Sequence, residues 1–273
     1  MKIQRVCALY FSGTGNTRKV VTTIAEELAK LLAVPMEELP FTLPRDREKG
    51  YSFTENDLLV VGSPTYAGRL PNKIAPDFAA RLRGNGTPAV PVVTFGNRNY
   101  ENSLAELNTL LQKSGFLPVA AAACVAQHAF TSELAYGRPG WSDLFEAKTF
   151  AKKISVKSKD LTGVAEPVTV PGDPQAPYYV PLGEDGQPVN FLKAKPKTKL
   201  SRCNGCGACA RMCPMGAIDR KDFSKVTGTC IKCQTCVHRC TKQAKYFDDP
   251  AFLSHVRMLE QTYQEPKENE WFL

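Results

Sequence analysis

The chain has 273 residues, 43% of them hydrophobic, and a formal net charge of +8 at pH 7. This length is typical of about two domains, and the apolar content is sufficient for a packed core. No apolar stretch approaches the ~20 residues that a membrane-spanning helix needs. The first residues, MKIQRVCALYF, lack the apolar region and cleavage site of a signal peptide. These features exclude a membrane-spanning class and predict a soluble, cytoplasmic protein.

Residues 1–157 alternate short apolar runs with amphipathic ones. We predict strands over Ile3–Phe11, Val34–Leu39, Leu58–Ser63, Ala89–Phe95 and Leu117–Val125, and helices over Asn16–Leu32, Asn72–Leu82, Ser103–Ser114 and Asp143–Val156. Val20, Ile24 and Leu28 recur at the spacing of one buried helical stripe. The run 58–61 is apolar throughout, as a central parallel strand requires. The alternation predicts a doubly wound α/β fold with a five-stranded parallel sheet.

The loop after the first strand indicates an anion site. It consists of Ser12, Gly13, Thr14, Gly15, Asn16 and Thr17, and it runs directly into a helix. Glycines let successive N–H groups converge, and a helix N-terminus favours an anion. The loop is neither a Walker A motif nor a G-x-G-x-x-G dinucleotide motif. A tight strand–helix turn without ligand is the alternative.

The loops after the third and fourth strands should lie beside this one, because ligands of open α/β sheets bind outside the carboxyl ends of the strands. With SGTGNT, SPTYAGRLP and FGNRNYENSLAEL, residues 1–157 resemble flavodoxin. The resemblance implies an FMN whose phosphate binds the first loop and whose ring lies between the other two. The implied ring-binding residues are Pro64, Thr65, Tyr66, Ala67 and Gly68 on one side and Thr94, Gly96, Asn97 and Tyr100 on the other.

Residues 158–194 form a proline-rich linker. A compact protein rarely leaves about 40 residues without structure. Tyr178, Tyr179, Val189 and Phe191, around Gly183–Gly186, are therefore expected to form a hairpin that packs one domain against the other.

Eight of the ten cysteines occur in two runs of identical spacing. In such runs three thiolates bind one 4Fe–4S cluster, and the fourth, after a longer gap, binds the other cluster. We therefore assign one cluster to Cys203, Cys206, Cys209 and Cys240, and the other to Cys213, Cys230, Cys233 and Cys236. Two structural zinc sites are the alternative, but zinc sites usually pair C-x2-C units across a longer gap.

The cysteine segment resembles a bacterial two-cluster ferredoxin, with a small α+β domain over residues 195–248. Residues 249–273 are predicted to form a helix, Pro250–Tyr263, and a tail. Taken together, both halves resemble flavodoxin–ferredoxin fusion proteins of anaerobic bacteria.

Charge is concentrated near the cysteines. Residues 193–245 carry 13 Lys or Arg against two acidic residues, a net +11, which leaves −3 for the rest of the chain. A basic segment can bind nucleic acid, but no helix-turn-helix, zinc-finger or aromatic stacking pattern accompanies it. We expect the basic residues to balance cluster charge and to face an acidic redox partner protein.

The resulting expectation is an electron-transfer protein with FMN and two 4Fe–4S clusters, which couples one- and two-electron steps. The alternative is an FMN-dependent reductase of a small molecule, in which His128 or Arg98 helps to hold the substrate. A third possibility is a docking or redox-sensing protein without catalytic function. A reductase needs a pocket over the flavin, whereas a carrier leaves the flavin edge exposed.

Overall fold

The computed structural model describes residues 2–159 and 166–273. The strands are β1 (Arg5–Tyr10), β2 (Met36–Pro40), β3 (Tyr51–Ser52), β4 (Asp57–Pro64), β5 (Leu82–Arg83), β6 (Thr87–Phe95), β7 (Phe116–Pro118), β8 (Ala121–Val125), β9 (Lys197–Thr198), β10 (Lys245–Tyr246) and β11 (Glu270–Phe272). The helices are α1 (Asn16–Leu32), α2 (Ala75–Arg81), α3 (Ser103–Lys113), α4 (Trp141–Lys159), α5 (Ala208–Arg211), α6 (Thr235–His238) and α7 (Pro250–Thr262).

The main sheet has the strand order β11-β8-β6-β4-β1-β2. Every pair from β2 to β8 is parallel. Counted among themselves, these five strands have the order 2-1-3-4-5, which is the flavodoxin-like order. The predicted α/β class and doubly wound sheet are therefore confirmed.

Two features of the sheet differ from the sequence prediction. The expected fifth strand is divided into β7 and β8, which both pair with β6. The predicted C-terminal tail contains β11, which pairs antiparallel with β8 and makes the sheet seven-stranded. Trp271 of β11 packs against Phe150 of α4, with ring centroids 4.8 Å apart, so burial of an aromatic side chain holds the last residues on the sheet edge.

Two apolar layers enclose the sheet. One packs α1 and α4 against the strands, and the other packs α2 and α3 against the opposite face. Leu58, Leu59, Val60 and Val61 are completely buried, as their position in a central strand requires. Among the described residues, no helix combines the length and apolarity needed to cross a membrane.

The two cysteine runs have repeated backbone conformations at positions 27 residues apart. Helix α5 follows Gly207 (φ 69°), and α6 follows Gln234 (φ 60°). Gly205 and Lys232, at φ 70° and 55°, form a second matched pair. The left-handed conformation favours glycine, and the second run adopts it with larger side chains. The short pair β9 and β10 joins the two ends of this region.

The linker contains the hairpin expected around Gly183–Gly186. Leu182 and Pro188 form an antiparallel bridge, and the Gly183 N–H donates to Gln187 O at 2.8 Å. The domain boundaries at 157/158, 194/195 and 248/249 stay a prediction, and residues 160–165 of the predicted linker lie outside the described residues.

Candidate functional site

A cavity of about 550 Å³ lies at the carboxyl ends of the central strands. This volume is within the ~300–1,000 Å³ typical of small-molecule sites. Of the fifteen residues predicted to bind the flavin, eleven line the cavity: Gly13, Thr14, Asn16, Thr17, Pro64, Thr65, Tyr66, Ala67, Gly68, Thr94 and Gly96. Ser12, Gly15, Asn97 and Tyr100 do not line it.

The loop between β1 and α1 offers a row of backbone donors. No described residue accepts a hydrogen bond from the N–H groups of residues 13–17. Gly15 has a φ of +105°, which side chains rarely adopt. Ser12 braces the loop, because its N–H donates to Thr42 Oγ1 at 2.9 Å and its Oγ accepts the Arg18 N–H at 3.1 Å. Unpaired N–H groups at a helix N-terminus fit a phosphate group.

Thr17 lines the cavity and also connects two of the loops. Its hydroxyl is hydrogen-bonded to the Thr94 hydroxyl at 2.7 Å, and both side chains are buried. This bond ties the first loop to the end of β6. Either hydroxyl can donate in this bond, so the Thr17 hydroxyl and its backbone N–H both stay predicted ligand contacts.

Tyr66 lies on the turn after β4, between the flavin loops and the cysteine region. The turn ends at Gly68, whose φ is +76° and where a Cβ would collide with the Glu101 carboxylate. Only glycine fits there without strain. Burial raises the pKa of Tyr66, and the adjacent thiols of Cys233 and Cys230 add to the increase. Tyr66, Cys230 and Cys233 line the same cavity, so Tyr66 lies beside the cysteine region.

Asn97 and Tyr100 are directed away from the predicted ring site. The Asn97 amide donates to Tyr263 O at 2.7 Å and to Glu265 O at 3.0 Å. The Tyr100 hydroxyl donates to the Glu270 carboxylate at 2.7 Å. Both residues hold the segment that leads from α7 to β11. The sequence prediction missed this role because it did not pair the C-terminal segment with the sheet.

Four of the cysteines surround a second, small cavity, and we call them the inner group: Cys213, Cys230, Cys233 and Cys236. Burial raises the pKa of Cys233 to about 11, and the neighbouring thiols of Cys213 and Cys230 oppose its ionisation. The thiolate forms of these side chains would repel one another in an apolar shell, and bound iron would supply the positive charge that stabilises them. The arrangement fits a cluster with four cysteine ligands.

The other four cysteines, Cys203, Cys206, Cys209 and Cys240, are called the outer group. Cys206 is exposed, and the remaining three are half-buried. Burial raises the pKa of Cys209, and the nearby Cys203 adds to the increase. Cys240 Sγ accepts the Ala244 N–H at 3.2 Å, as Cys213 Sγ accepts the Ala217 N–H at 3.3 Å. Among residues 2–159 and 166–273, no three His, Cys, Asp or Glu side chains converge on the site of a single metal ion. A 4Fe–4S cluster does not require such convergence, because each of its four cysteines binds a different iron atom.

The inner group directly adjoins the flavin cavity. Cys230, Ile231, Lys232 and Cys233 form part of the cavity wall. The Thr235 hydroxyl donates to Gly13 O at 2.9 Å, and a Cβ placed on Gly13 would lie 3.2 Å from Cys233 Cβ. The predicted phosphate loop and the predicted cluster loop are therefore in van der Waals contact, which the sequence did not predict.

The linker and α7 cover the cavity with side chains that the sequence prediction did not assign to the site. Tyr178, Tyr179, Phe191 and His255 line it. The Tyr179 N–H donates to Ala67 O at 2.9 Å, and the Tyr178 hydroxyl donates to Leu70 O at 2.8 Å. Their aromatic character was the only signal in the sequence, and it predicted packing between the domains without locating the cavity.

Known proteins resemble two separate parts of the chain. A family model described as a 4Fe-4S binding domain matches residues 196–219. The flavodoxin of Streptococcus pneumonia TIGR4 is 20% identical, over 56% of this chain and 99% of that one, with a TM-score of 0.38. A flavodoxin from the domain Archaea is 15% identical, over 57% and 99%, with a TM-score of 0.37. The search of curated proteins found no match.

A third similar structure is the rubredoxin oxygen:oxidoreductase of the anaerobe Desulfovibrio gigas, which is 16% identical over 58% of this chain and 37% of that one, with a TM-score of 0.40. These likenesses are too distant to carry an argument, whereas the strand order of the sheet identifies the fold directly. The chain thus combines a sheet of flavodoxin-like strand order with a segment, residues 196–219, that matches a 4Fe-4S binding domain.

Proposed function

We propose that the protein is an electron-transfer iron–sulfur flavoprotein that holds FMN in the 550 Å³ cavity and a 4Fe–4S cluster on each cysteine group. The observation that carries the proposal is the shared wall, in which Cys230 and Cys233 line the cavity that the flavodoxin-like loops form. Clusters exchange single electrons and a flavin exchanges one or two, so their proximity would couple the two kinds of step.

The order of the centres follows from exposure. The outer group includes the exposed Cys206, whereas Cys233 and Cys236 of the inner group are buried beside the cavity. A redox partner protein would therefore exchange electrons at the outer group, and the inner group would connect that group to the flavin. Lys199, Arg202 and Lys242 are exposed beside the outer cysteines, so the favoured partner is acidic.

FMN is favoured over FAD because one phosphate-binding loop is present and no second nucleotide motif occurs in the sequence. The loop holds its ligand through backbone N–H groups, with the side chains of Thr14 and Asn16 beside them. An empty cavity in a docking protein would not require this row of unpaired donors, which supports a bound flavin over the non-catalytic alternative.

The test is anaerobic purification followed by counts of iron, sulfide and flavin per chain. We expect one FMN and the iron and sulfide of two clusters, with both cluster signals seen by EPR on stepwise reduction. Recovery of FAD, or zinc in place of iron, would contradict the assignment. Rapid-reaction spectroscopy should then show the flavin reduced after the clusters.

A second candidate function is reduction of a small molecule at the flavin. It is favoured by the cover that the linker and α7 place over the cavity, because a simple carrier leaves the flavin edge exposed. Tyr179, Phe191 and Leu259 give this cover an apolar inner surface.

A further inference from the structure

Three polar side chains from separate segments line one part of the flavin cavity. Arg98 lies in the loop after β6, His128 lies after β8, and His255 lies on α7. Burial, together with the nearby His255 and Arg98, lowers the pKa of His128 to about 4. Burial likewise lowers the pKa of His255. Both imidazoles are therefore neutral at pH 7.

Hydrogen bonds determine which nitrogen of His128 carries the proton. Its Nδ1 accepts the Phe130 N–H at 3.1 Å, so the hydrogen of the neutral ring is on Nε2. No described residue accepts a hydrogen bond from that Nε2–H. The ring lines the cavity and packs against Gly96, where a Cβ would collide with it. His128 therefore offers a neutral donor in the cavity wall.

Arg98 has unused donors as well. Its side chain is only 12% exposed, and Nη1 donates to the Glu101 carboxylate at 2.6 Å. No other described residue accepts from the remaining N–H groups of this guanidinium, which has five in all. The Arg98 Cζ atom lies over the Tyr179 ring, 3.9 Å from the ring centroid. Arg98 lines the cavity, so a ligand or water there can accept from these donors.

Arg69 shows what a purely structural arginine looks like in this region. It lies over the preceding tyrosine, Tyr178, at 5.4 Å. It donates to Glu106 at 2.8 Å, to Pro174 O at 2.8 Å and to Ala176 O. Arg69 does not line the cavity and bonds to three residues, whereas Arg98 lines the cavity and bonds to one.

Charge decides which ligand suits the wall. The positive Arg98 is offset by Glu101, and both histidines are neutral, so the part of the wall formed by these side chains has no net charge. Lys73 and Lys232 also line the cavity, but they are not members of this group. Such a wall favours an uncharged acceptor over a carboxylate. The surrounding side chains of Phe130, Phe191 and Leu259 favour an apolar body.

We propose that Arg98 and His128 form a subsite for the carbonyl oxygen of a small, uncharged, apolar molecule held beside the flavin. The inference deepens the reductase candidate and rests on the proposed function, because FMN would occupy another part of the same cavity. The subsite names the substrate class as neutral carbonyl compounds.

The test is calorimetric titration of the anaerobically purified holoprotein with acetophenone, with benzoate and toluene as matched probes. Acetophenone should bind, benzoate should bind more weakly because of Glu101, and toluene should bind more weakly because it lacks the oxygen. Arg98→Lys keeps the charge next to Glu101 but loses the guanidinium fork. His128→Phe keeps the ring but loses the donor. Each should weaken acetophenone binding about 10-fold to 100-fold.

Arg69→Lys is the control, because it alters the other linker-facing arginine and should leave acetophenone binding unchanged. Each variant is also assayed for FMN content. The inference is overturned if acetophenone fails to bind, if benzoate binds equally well, or if Arg98→Lys loses FMN instead of acetophenone. Acetophenone binding that depends on Arg98 in a protein without FMN would overturn the proposed function and leave the subsite standing.

Discussion

The inner and outer cysteine groups have the same spacing and nearly the same backbone but different surroundings. Gly207 and Gln234 both precede a one-turn helix in the left-handed conformation. Yet Cys206 is exposed, whereas its counterpart Cys233 is 9% exposed and lies against the flavin loop. Thus the two groups share a cysteine pattern, and their different exposure results from their different positions relative to the flavodoxin-like domain.

Small sequence differences account for that position. Thr235 begins α6 and donates to Gly13 O, whereas the matching residue of α5 is Ala208, which has no hydroxyl. His238 of α6 bonds to Ala129 O at 2.8 Å, and the matching residue is Arg211, whose guanidinium returns to Cys206 O. The second run thus contacts the first domain through α6, whereas among the described residues α5 makes no such contact and the first run meets that domain only after Cys213, where Arg47 Nη2 donates to Pro214 O at 2.8 Å.

The largest expected effect comes from replacing Cys213, the predicted fourth ligand of the inner cluster. Cys213→Ser should destroy the inner cluster, although Cys213 belongs to the first run, because its thiol lies with those of Cys230 and Cys233. Cluster-to-flavin electron transfer should then be abolished, and iron per chain should fall by about half. EPR of the reduced protein and stopped-flow flavin reduction measure the two results.

Cys203→Ser is the matched control, and it should remove the outer cluster while a chemically reduced inner cluster still reduces the flavin. If Cys213→Ser removed the EPR signal of the outer cluster and left that of the inner cluster intact, the assignment of Cys213 to the inner cluster would be wrong.

The second effect concerns the contact between the inner group and the flavin loop. Gly13→Val places a side chain where Thr235 Oγ1 is 3.0 Å and Cys233 Cβ is 3.2 Å from the new Cβ. We expect loss of FMN together with damage to the inner cluster, because the two loops must separate. FMN release and the EPR signal of the inner cluster are the measurements. Gly50→Ala is the control, because a Cβ at Gly50 would meet only Arg81 O, at an ordinary contact distance of 3.8 Å. Loss of FMN with an unchanged cluster would show that the contact is not needed.

The sequence could predict features that depend on residues close together in the chain, but not contacts between distant segments. Local patterns predicted α1 over Asn16–Leu32 to the residue and the doubly wound sheet. The cysteine spacing predicted a grouping in which Cys213 lies near Cys230 and Cys233, and the structure places them together. The ligand assignment itself stays a prediction.

What the sequence could not predict involves contacts between distant segments. The pairing of β11 with β8, the diversion of Tyr100 to Glu270 and the bond from Thr235 to Gly13 each join residues more than 100 positions apart. Neither periodicity nor spacing contains information about such contacts, because they depend on how the two domains dock.

The third prediction addresses the surface of the outer group. Lys199, Arg202 and Lys242 are exposed and form no ion pair with a described residue, whereas Lys197 pairs with Asp248 at 2.9 Å. Electron transfer with an acidic ferredoxin should slow as salt shortens the Debye length from about 10 Å at 0.1 M to about 3 Å at 1 M. Changing the three residues to Glu should flatten this dependence without altering iron content. A native rate independent of salt would rule out steering.

The fourth prediction concerns pH and the cavity beside the inner group. The pKa of His128 is about 4 in the folded protein and 6.5 ordinarily, so between these values the unfolded chain binds a proton that the folded protein does not. Stability should therefore fall as the pH drops below 6.5 and level off near pH 4, by about 3 kcal/mol for this group. His128→Gln should remove that part of the acid sensitivity in urea unfolding. An unchanged pH profile would contradict a buried, neutral His128.

The substitution with the smallest expected effect is the most direct test of the difference between the inner and outer groups, because it makes α6 resemble α5. Thr235→Ala removes the hydroxyl that donates to Gly13 O at 2.9 Å and lies 3.2 Å from Cys233 Sγ. A hydrogen bond of this kind contributes about 0.5–1.5 kcal/mol. The urea midpoint for FMN release should fall accordingly, while the outer cluster is unaffected.

Two further variants separate the hydroxyl from the shape of the side chain. Thr235→Ser keeps the donor and should retain most of the stability, whereas Ala208→Thr adds a hydroxyl to the outer group, where no flavin loop is in contact, and should change FMN release little. If Thr235→Ser were as damaging as Thr235→Ala, packing of the methyl group would account for the contact. If Ala208→Thr lowered the urea midpoint for FMN release as much as Thr235→Ala does, the two groups would not differ in their coupling to the flavodoxin-like domain. A change in either group would then affect FMN release equally.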